Sequence, residues 1–229
     1  MQCTRWPVHC VWRRYWPCLW TLDKQPSVGV RHDGGKWICG MHELGASLRQ
    51  RPRPCVIYSF GSENKFHFEA QVGTHARCEV HTFDPTVLPA YSPHYSHFHS
   101  LGLGGARAHL SAVGPLWPLA DILTALEHTS LELLKVDVEG AEFDALAAID
   151  WSALPCRIGQ LLLEVHPCRA MGAPPCRGVV AVQRMFSRLE RAGFRLFSLE
   201  PVTKTDYSQV EVSWVHRDWT PSGWRGEGA

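Results

Sequence analysis

The stretch Leu133-Leu134-Lys135-Val136-Asp137-Val138-Glu139-Gly140-Ala141-Glu142-Phe143 decides the fold. It reads as a buried strand that stops on acidic residues and a glycine, then turns into a helix. In an open α/β sheet the carboxyl ends of the strands are where ligands bind. An acidic cluster there lies in a crevice, whereas the same carboxylates packed into an apolar core would be costly.

Upstream of it, Cys55 to Phe60 is a short apolar run ending at Gly61, and Phe66 to Val72 begins a helix. Cys78 to Phe83 reads as a second strand stopped by Asp84-Pro85, and His97 to Leu103 as a third, closed by Gly102, Gly104 and Gly105. Leu116 to Leu126 is predicted helical, with Leu119, Ile122, Leu123 and Leu126 on one face. The decisive strand spans Leu131 to Val138, and Phe143, Leu146 and Ala147 share one side of the helix after it. Ile158 to Val165 is a strand too continuously apolar for an exposed position. Val179 to Ala192 is an amphipathic helix closed by Gly193. Phe194 to Leu199 and Val210 to His216 read as an antiparallel pair at the end of the sheet. Strands alternating with helices argue for a parallel α/β sheet.

Residues 1–54 lack periodicity; Asp33-Gly34-Gly35 marks a turn and Arg51-Pro52-Arg53-Pro54 punctuates the entry to the sheet. The expected organisation is an irregular N-terminal extension over 1–54, one domain over 55–217 and a flexible C-terminal tail over 218–229. A chain of 229 residues is long enough for one domain with a sizeable core.

A formal net charge of +1 and the lack of a Lys/Arg-rich run give no reason to expect nucleic acid as a partner. No stretch approaches the ~20 apolar residues of a membrane span. Arg13 and Arg14 interrupt the apolar residues of Met1 to Trp20, the wrong order for a signal peptide. The chain as given therefore reads as cytoplasmic, or as secretory if a native targeting segment is missing. Nothing in the sequence fixes an oligomeric state. Nine cysteines, none spaced C-x-x-C, argue against a zinc ribbon or redox motif. His166, Cys168 and Cys176 lack an identifiable fourth ligand, so no metal is expected there. An oxidising compartment could pair some cysteines, Cys39 with Cys55 for example, but sequence alone leaves the connectivity open. The high counts of Trp and His do not read as a site.

Tyr58-Ser59-Phe60-Gly61 occupies the first strand-to-helix turn, where glycine lets backbone approach a cofactor. Taken alone it reads first as an ordinary turn, because only Gly61 of a G-x-G-x-x-G loop is present. Asp84 follows Gly61 at the spacing of a carboxylate that accepts ribose hydroxyls; the alternative is a turn-forming Asp before Pro85. Asp121 reads as a structural acid at a helix start. Asp137, with Glu139, is placed to orient or deprotonate an acceptor hydroxyl or amine. Glu142 reads as a helix cap. Glu164 and His166 alternate onto one side of their strand, which makes His166 a candidate acid/base or substrate contact, against a structural histidine.

Taken together these pieces resemble the FkbM-type methyltransferases, a branch of the class I S-adenosylmethionine enzymes, and within it the animal methyltransferase-like protein 24 group. The resemblance covers roughly residues 36 to 216. It rests on Asp33 to Cys39, Cys55 to Gly61, Cys78 to Pro85, the Leu133 to Phe143 signature, Gln160 to His166 and Ala192 to Phe197. It implies a Rossmann-like class I methyltransferase fold, α/β, with a mostly parallel seven-stranded sheet and an antiparallel C-terminal strand. It also implies S-adenosylmethionine as cofactor. Ser59, Phe60 and Gly61 would approach the methionine part, Asp84 and Pro85 the ribose, and Asp137, Glu139 and His166 would carry catalysis. The expected function is O-methylation of an unidentified small-molecule or glycan acceptor. The segment Ser62 to Glu69 departs from the family pattern, lacking its second glycine and any clear acidic pattern, although Glu69 could serve. That motivates the alternative of a catalytically inactive methyltransferase-fold interaction protein. A dinucleotide-dependent oxidoreductase would also use Asp84, but the missing glycines count against it.

Overall fold

The computed structural model describes residues 18–20, 36–41, 43–44, 55–88, 96–167, 177–202, 209–221 and 223–224. Its main elements are β1 (Val56–Phe60), α1 (His67–Ala76), β2 (Glu79–Phe83), β3 (Ser96–His99), α2 (Leu119–Ala125), β4 (Ser130–Val136), α3 (Glu142–Ala148), β5 (Arg157–Val165), α4 (Gly178–Arg191), β6 (Phe194–Pro201) and β7 (Val210–His216). They form a seven-stranded sheet in the order β6-β7-β5-β4-β1-β2-β3. β7 runs antiparallel to both of its neighbours, and the other pairings are parallel.

Every residue of β1 and β4 is buried, as expected for strands covered on both faces. Alternation along the strands divides the apolar residues between two layers. Tyr58, Phe60, Leu134, Val136, Leu161 and Leu163 pack with α2, α3 and α4. Ile57, Leu133, Leu162 and Val215 pack with α1 and with Ile38, Met41 and Leu44.

The second layer draws on the segment that precedes β1. Trp37–Cys39 pairs antiparallel with Cys18–Trp20. Gln160 of β5 fixes this segment to the sheet: the Cys39 N–H donates to Gln160 Oε1 (2.9 Å), and Gln160 Nε2 donates to the Cys39 carbonyl (2.8 Å). This contact buries Lys36 completely. The expected Asp33-Gly34-Gly35 turn, the Arg51 to Pro54 punctuation, Cys168 and Cys176 lie outside the described residues. At the other end, Trp219–Thr220 pairs with Gly223–Trp224, and the buried Trp219 indole donates to Glu132 Oε2 (2.5 Å).

Three local expectations are corrected. The run His97 to Leu103 is not one strand: β3 ends at His99, and Gly102–Leu103 joins a small sheet with Gly114–Trp117 and Ala108–Leu110. The helix expected from Leu116 begins at Leu119, because Leu116 and Trp117 are held extended by that small sheet and Pro118 disfavours a helical residue before it. Cys55 is bonded to Cys78, not to Cys39. These two cysteines precede adjacent parallel strands, where Glu79 N–H donates to the Cys55 carbonyl (2.9 Å). Cys39 is itself disulfide-bonded. Among the described residues no helix is long and apolar enough to cross a membrane.

Candidate active site

The carboxyl ends of β1, β2, β4 and β5 meet in one crevice, and backbone closes it tightly. Gly61 leaves β1 with φ +85°, and a Cβ there would lie 1.7 Å from the Asp137 carbonyl oxygen. Only glycine supports both that φ and that approach. The Gly61 N–H donates to the Phe83 carbonyl (2.9 Å) and the Asp137 N–H to the Phe60 carbonyl (3.0 Å). Lys135 Nζ donates to the Gly61 carbonyl (2.7 Å). The ends of three strands are thus held together around one glycine.

Asp84, just past β2, faces the loop after Gly61. Its Oδ2 accepts from Ser62 N–H (2.8 Å), Ser62 Oγ (3.0 Å) and Glu63 N–H (2.8 Å). Its Oδ1 accepts from Thr86 N–H (3.0 Å) and Thr86 Oγ1 (2.7 Å). Burial pushes this carboxyl up, but the bonds from Thr86, Ser62 and Glu63 outweigh it and hold the group below its ordinary range. The same bonds explain how the loop turns without a second glycine. Glu63 and Asn64 both take left-handed backbone (φ 47° and 59°), a conformation that non-glycine residues adopt only under constraint.

The other expected cofactor residues are placed as follows. Ser59 is buried and donates through Oγ to Glu69 Oε1 (2.6 Å) on α1. Phe60 is buried and stacks on Phe83 with centroids 4.5 Å apart. Both therefore turn their side chains into the layers and leave only backbone toward the crevice. Pro85 lies against Gly102 and Gly114.

A compact charged cluster lies where β4 and β5 end and β7 begins. Lys36 Nζ donates to Glu211 Oε1 and stands 3.5 Å from Glu164 Oε2 and 3.8 Å from Asp137 Oδ2. Lys135 Nζ approaches the same Asp137 oxygen at 3.6 Å. Glu164 and Glu211 are cross-strand register partners. His166 follows β5, with Nε2 3.4 Å from Glu164 Oε1 and 3.5 Å from Glu139 Oε2, and Nδ1 3.4 Å from Glu142 Oε1. Its ring nitrogens are buried and make no hydrogen bond of good geometry. Glu142 ties the turn together: its Oε2 accepts from Gly140 N–H (2.7 Å) and its Oε1 from His166 N–H (2.6 Å).

Burial and pairing set the charges. Desolvation would lower Lys36, but Glu211, Asp137 and Glu164 reverse this and raise it, so it stays a cation. Burial raises Asp137 from its ordinary value, against the pull of Lys135 and Lys36. Burial likewise raises Glu211 well above its ordinary value, with Lys36 opposing. Burial would raise Glu164, yet His166 and Lys36 hold it well below the usual range. Burial would lower His166, but Glu142 and Glu164 push it up to about 11. Asp137 is the partly open acid of the cluster, with 19% of its side chain exposed, and Glu139 lies outside it at 68%. Asp137, Glu139 and His166 each offer one donor atom within 4.8 Å of the others, close enough to share a metal ion.

The expected trio Asp137, Glu139 and His166 is therefore brought together. Asp84 lies across Gly61 from it. Sequence reasoning missed Lys36, Lys135 and Glu211, and Glu164 entered only beside His166. The signal for three of these was a single charge inside an apolar strand: Lys135 in Leu133-Leu134-Lys135-Val136, Glu164 in Leu163-Glu164-Val165, and Glu211 in Val210-Glu211-Val212.

A family model described as a methyltransferase domain matches residues 12–216. Two curated relatives carry the name "Probable methyltransferase-like protein 24". The Homo sapiens protein is 29% identical over 205 residues, which is 80% of this chain and 56% of the relative. The Rattus norvegicus protein is 31% identical over 226 residues, 86% of this chain and 61% of the relative. The chain thus spans somewhat over half the length of these relatives. Among solved structures, a fibrillarin/Nop5p complex gives a TM-score of 0.50 at 7% identity, covering 87% of this chain and 94% of that one. That likeness is one of fold.

Proposed function

This chain belongs to the methyltransferase domain family, and we propose that it is an S-adenosylmethionine-dependent methyltransferase of FkbM type acting on a hydroxyl of a small-molecule or glycan acceptor. One observation carries the reading: Asp137, a partly exposed carboxylate, extends from a buried charged cluster at the strand ends where β1 and β4 touch at Gly61.

The residues fit the cofactor in part. Gly61 and Ser62 offer backbone for the methionine end, and Asp84 and Pro85 flank the ribose side. Asp84 already accepts five hydrogen bonds, more than the about four lone-pair sites a carboxylate offers. It therefore acts first by shaping the loop and would share an oxygen with a ribose hydroxyl only by giving up a bond. When bound, the cofactor supplies an electrophilic methyl group on sulfur.

The chain's own residues then position and deprotonate. Asp137 would take the proton of the acceptor hydroxyl as that oxygen received the methyl group the cofactor would supply. A raised pKa strengthens Asp137 as a base, with Lys36 and Lys135 opposing the rise. Oxygen is favoured over nitrogen as acceptor because a hydroxyl must lose its proton as it reacts, which is the task this carboxylate suits. His166, held protonated, has no nitrogen free to take a proton; it positions Glu164 and Glu142. Glu139, exposed on a left-handed turn residue (φ 53°), is placed to meet the acceptor.

The test is calorimetric titration with S-adenosylhomocysteine of the wild type, Asp84→Asn and Asp137→Asn. Micromolar binding should persist in Asp137→Asn and weaken at least tenfold in Asp84→Asn. Turnover against a panel of hydroxylated acceptors should fall about 10²–10⁴-fold in Asp137→Asn. A folded wild type that does not bind would overturn the reading in favour of an inactive interaction protein.

A further inference from the structure

The edge of the sheet carries a second cluster, on β2 and β3. Glu79 and His81 sit two apart on β2 and so project to the same side. His97 of β3 is the register partner of His81. His81 Nε2 lies 2.9 Å from Glu79 Oε1, and His97 Nε2 lies 3.6 Å from the same oxygen. All three donor atoms fall within 4.8 Å of one another. Tetrahedral zinc with bonds of about 2.0–2.1 Å needs donors about 3.3–3.4 Å apart, a spacing these two distances bracket.

We propose that Glu79, His81 and His97 form a site for a divalent cation of zinc type, clipping edge strand β3 to β2. Two imidazole nitrogens and a carboxylate oxygen are a borderline donor set, suited to zinc rather than to magnesium or calcium. The central ligand is oriented before any ion arrives. His81 Nδ1 meets His99 Nε2 at 2.9 Å, the partner on the second ring nitrogen that metal-binding histidines commonly have. The His81 ring is further fixed against Tyr58 and His128, with centroids 5.4 Å and 4.9 Å away. His128 is itself held by Tyr58, whose hydroxyl lies 2.6 Å from its Nδ1. The outer two ligands are open to solvent, with 64% of the His97 and 42% of the Glu79 side chain exposed. An ion can therefore enter, and water can complete the coordination. The central ligand His81 stands three residues before Asp84, about 10 Å along β2, and the carbonyl of its ring partner His99 accepts from the Asp84 N–H (3.0 Å).

Tag-free full-length protein titrated with zinc chloride by calorimetry tests the assignment, using the wild type, His97→Ala, Glu79→Gln and Glu139→Gln. Equimolar binding is expected in the wild type and in Glu139→Gln, with affinity at least about tenfold weaker in the other two variants. His97 and Glu79 are exposed, so both variants should melt like the wild type when zinc is absent. Zinc should raise the wild-type melting temperature and leave that of His97→Ala unchanged. Absence of wild-type binding, or unchanged affinity in His97→Ala, overturns the proposal. Loss of binding only in Glu139→Gln also overturns it, since the ion would then lie at Asp137, Glu139 and His166.

Discussion

Replacing Lys36 with methionine should be among the most damaging single changes this fold can suffer. Lys36 is fully buried, bonded to Glu211, and within 3.8 Å of Glu164 and Asp137. The methionine fills a similar volume, so packing is conserved and the main loss is the cation. Removing one partner of a buried ion pair costs about 3–5 kcal/mol, because the partner is left charged and desolvated. At a urea slope of roughly 2–3 kcal/mol per molar, a loss near 4 kcal/mol lowers the unfolding midpoint by about 1.5 M. The loss should also depend on pH with a definite sign. Burial already lifts Glu211 and Asp137, and without Lys36 they rise further. The folded variant then binds more protons than its unfolded chain above the ordinary carboxylate range, so its stability falls as pH rises. The deficit should be smaller at pH 5 than at pH 8, and adding Glu211→Gln should recover part of it. A midpoint shift below about 0.4 M at pH 8, or a deficit that does not change with pH, would refute the reasoning.

Two further outcomes follow from the same geometry. His166 is raised to about 11 in the fold, so the stability it contributes is complete below its unfolded pKa and drains away as pH climbs from near 6.5 toward 11. His166→Gln should flatten that decline, whose steepest slope is about 1.4 kcal/mol per pH unit; identical pH profiles for the two proteins would disprove it. Gly61→Ala faces a left-handed penalty of roughly 1–2 kcal/mol and a Cβ placed 1.7 Å from backbone oxygen, so little folded protein should be recovered. An unchanged melting temperature in that variant would show that β1 and β4 do not approach as described.

The order of strands and helices was legible because buried parallel strands are continuous apolar runs, as β4 and β5 are, and because α4 alternates apolar and charged residues at helical spacing. Asp137 and His166 were legible for the same reason, as polar residues where such runs stop. The errors came where longer-range pairing decides local shape. Gly102 and Leu103 look like the tail of β3 until Gly114–Trp117 captures them, and Leu116 has helical spacing but extended backbone for the same cause. The pairing of Cys55 with Cys78 depends on β1 and β2 being neighbours, which no cysteine spacing states. Lys36 had no local signal at all. It sits beside an unremarkable Trp-Ile-Cys triplet, and its bonded partner is 175 positions away.

That separation has a consequence for how the protein is made. Lys36 leaves the ribosome before Glu164 and Glu211. At about 5–20 residues per second, some 10–35 s pass between the synthesis of Lys36 and that of Glu211. During that interval the segment around Lys36 has neither the Gln160 anchor nor its full set of counter-charges, and it has no reason to leave water. The crevice therefore cannot be completed by the amino-terminal half. It closes only when β7 slides in between β5 and β6, so the last-made strand of the sheet is also the one that completes the charged cluster.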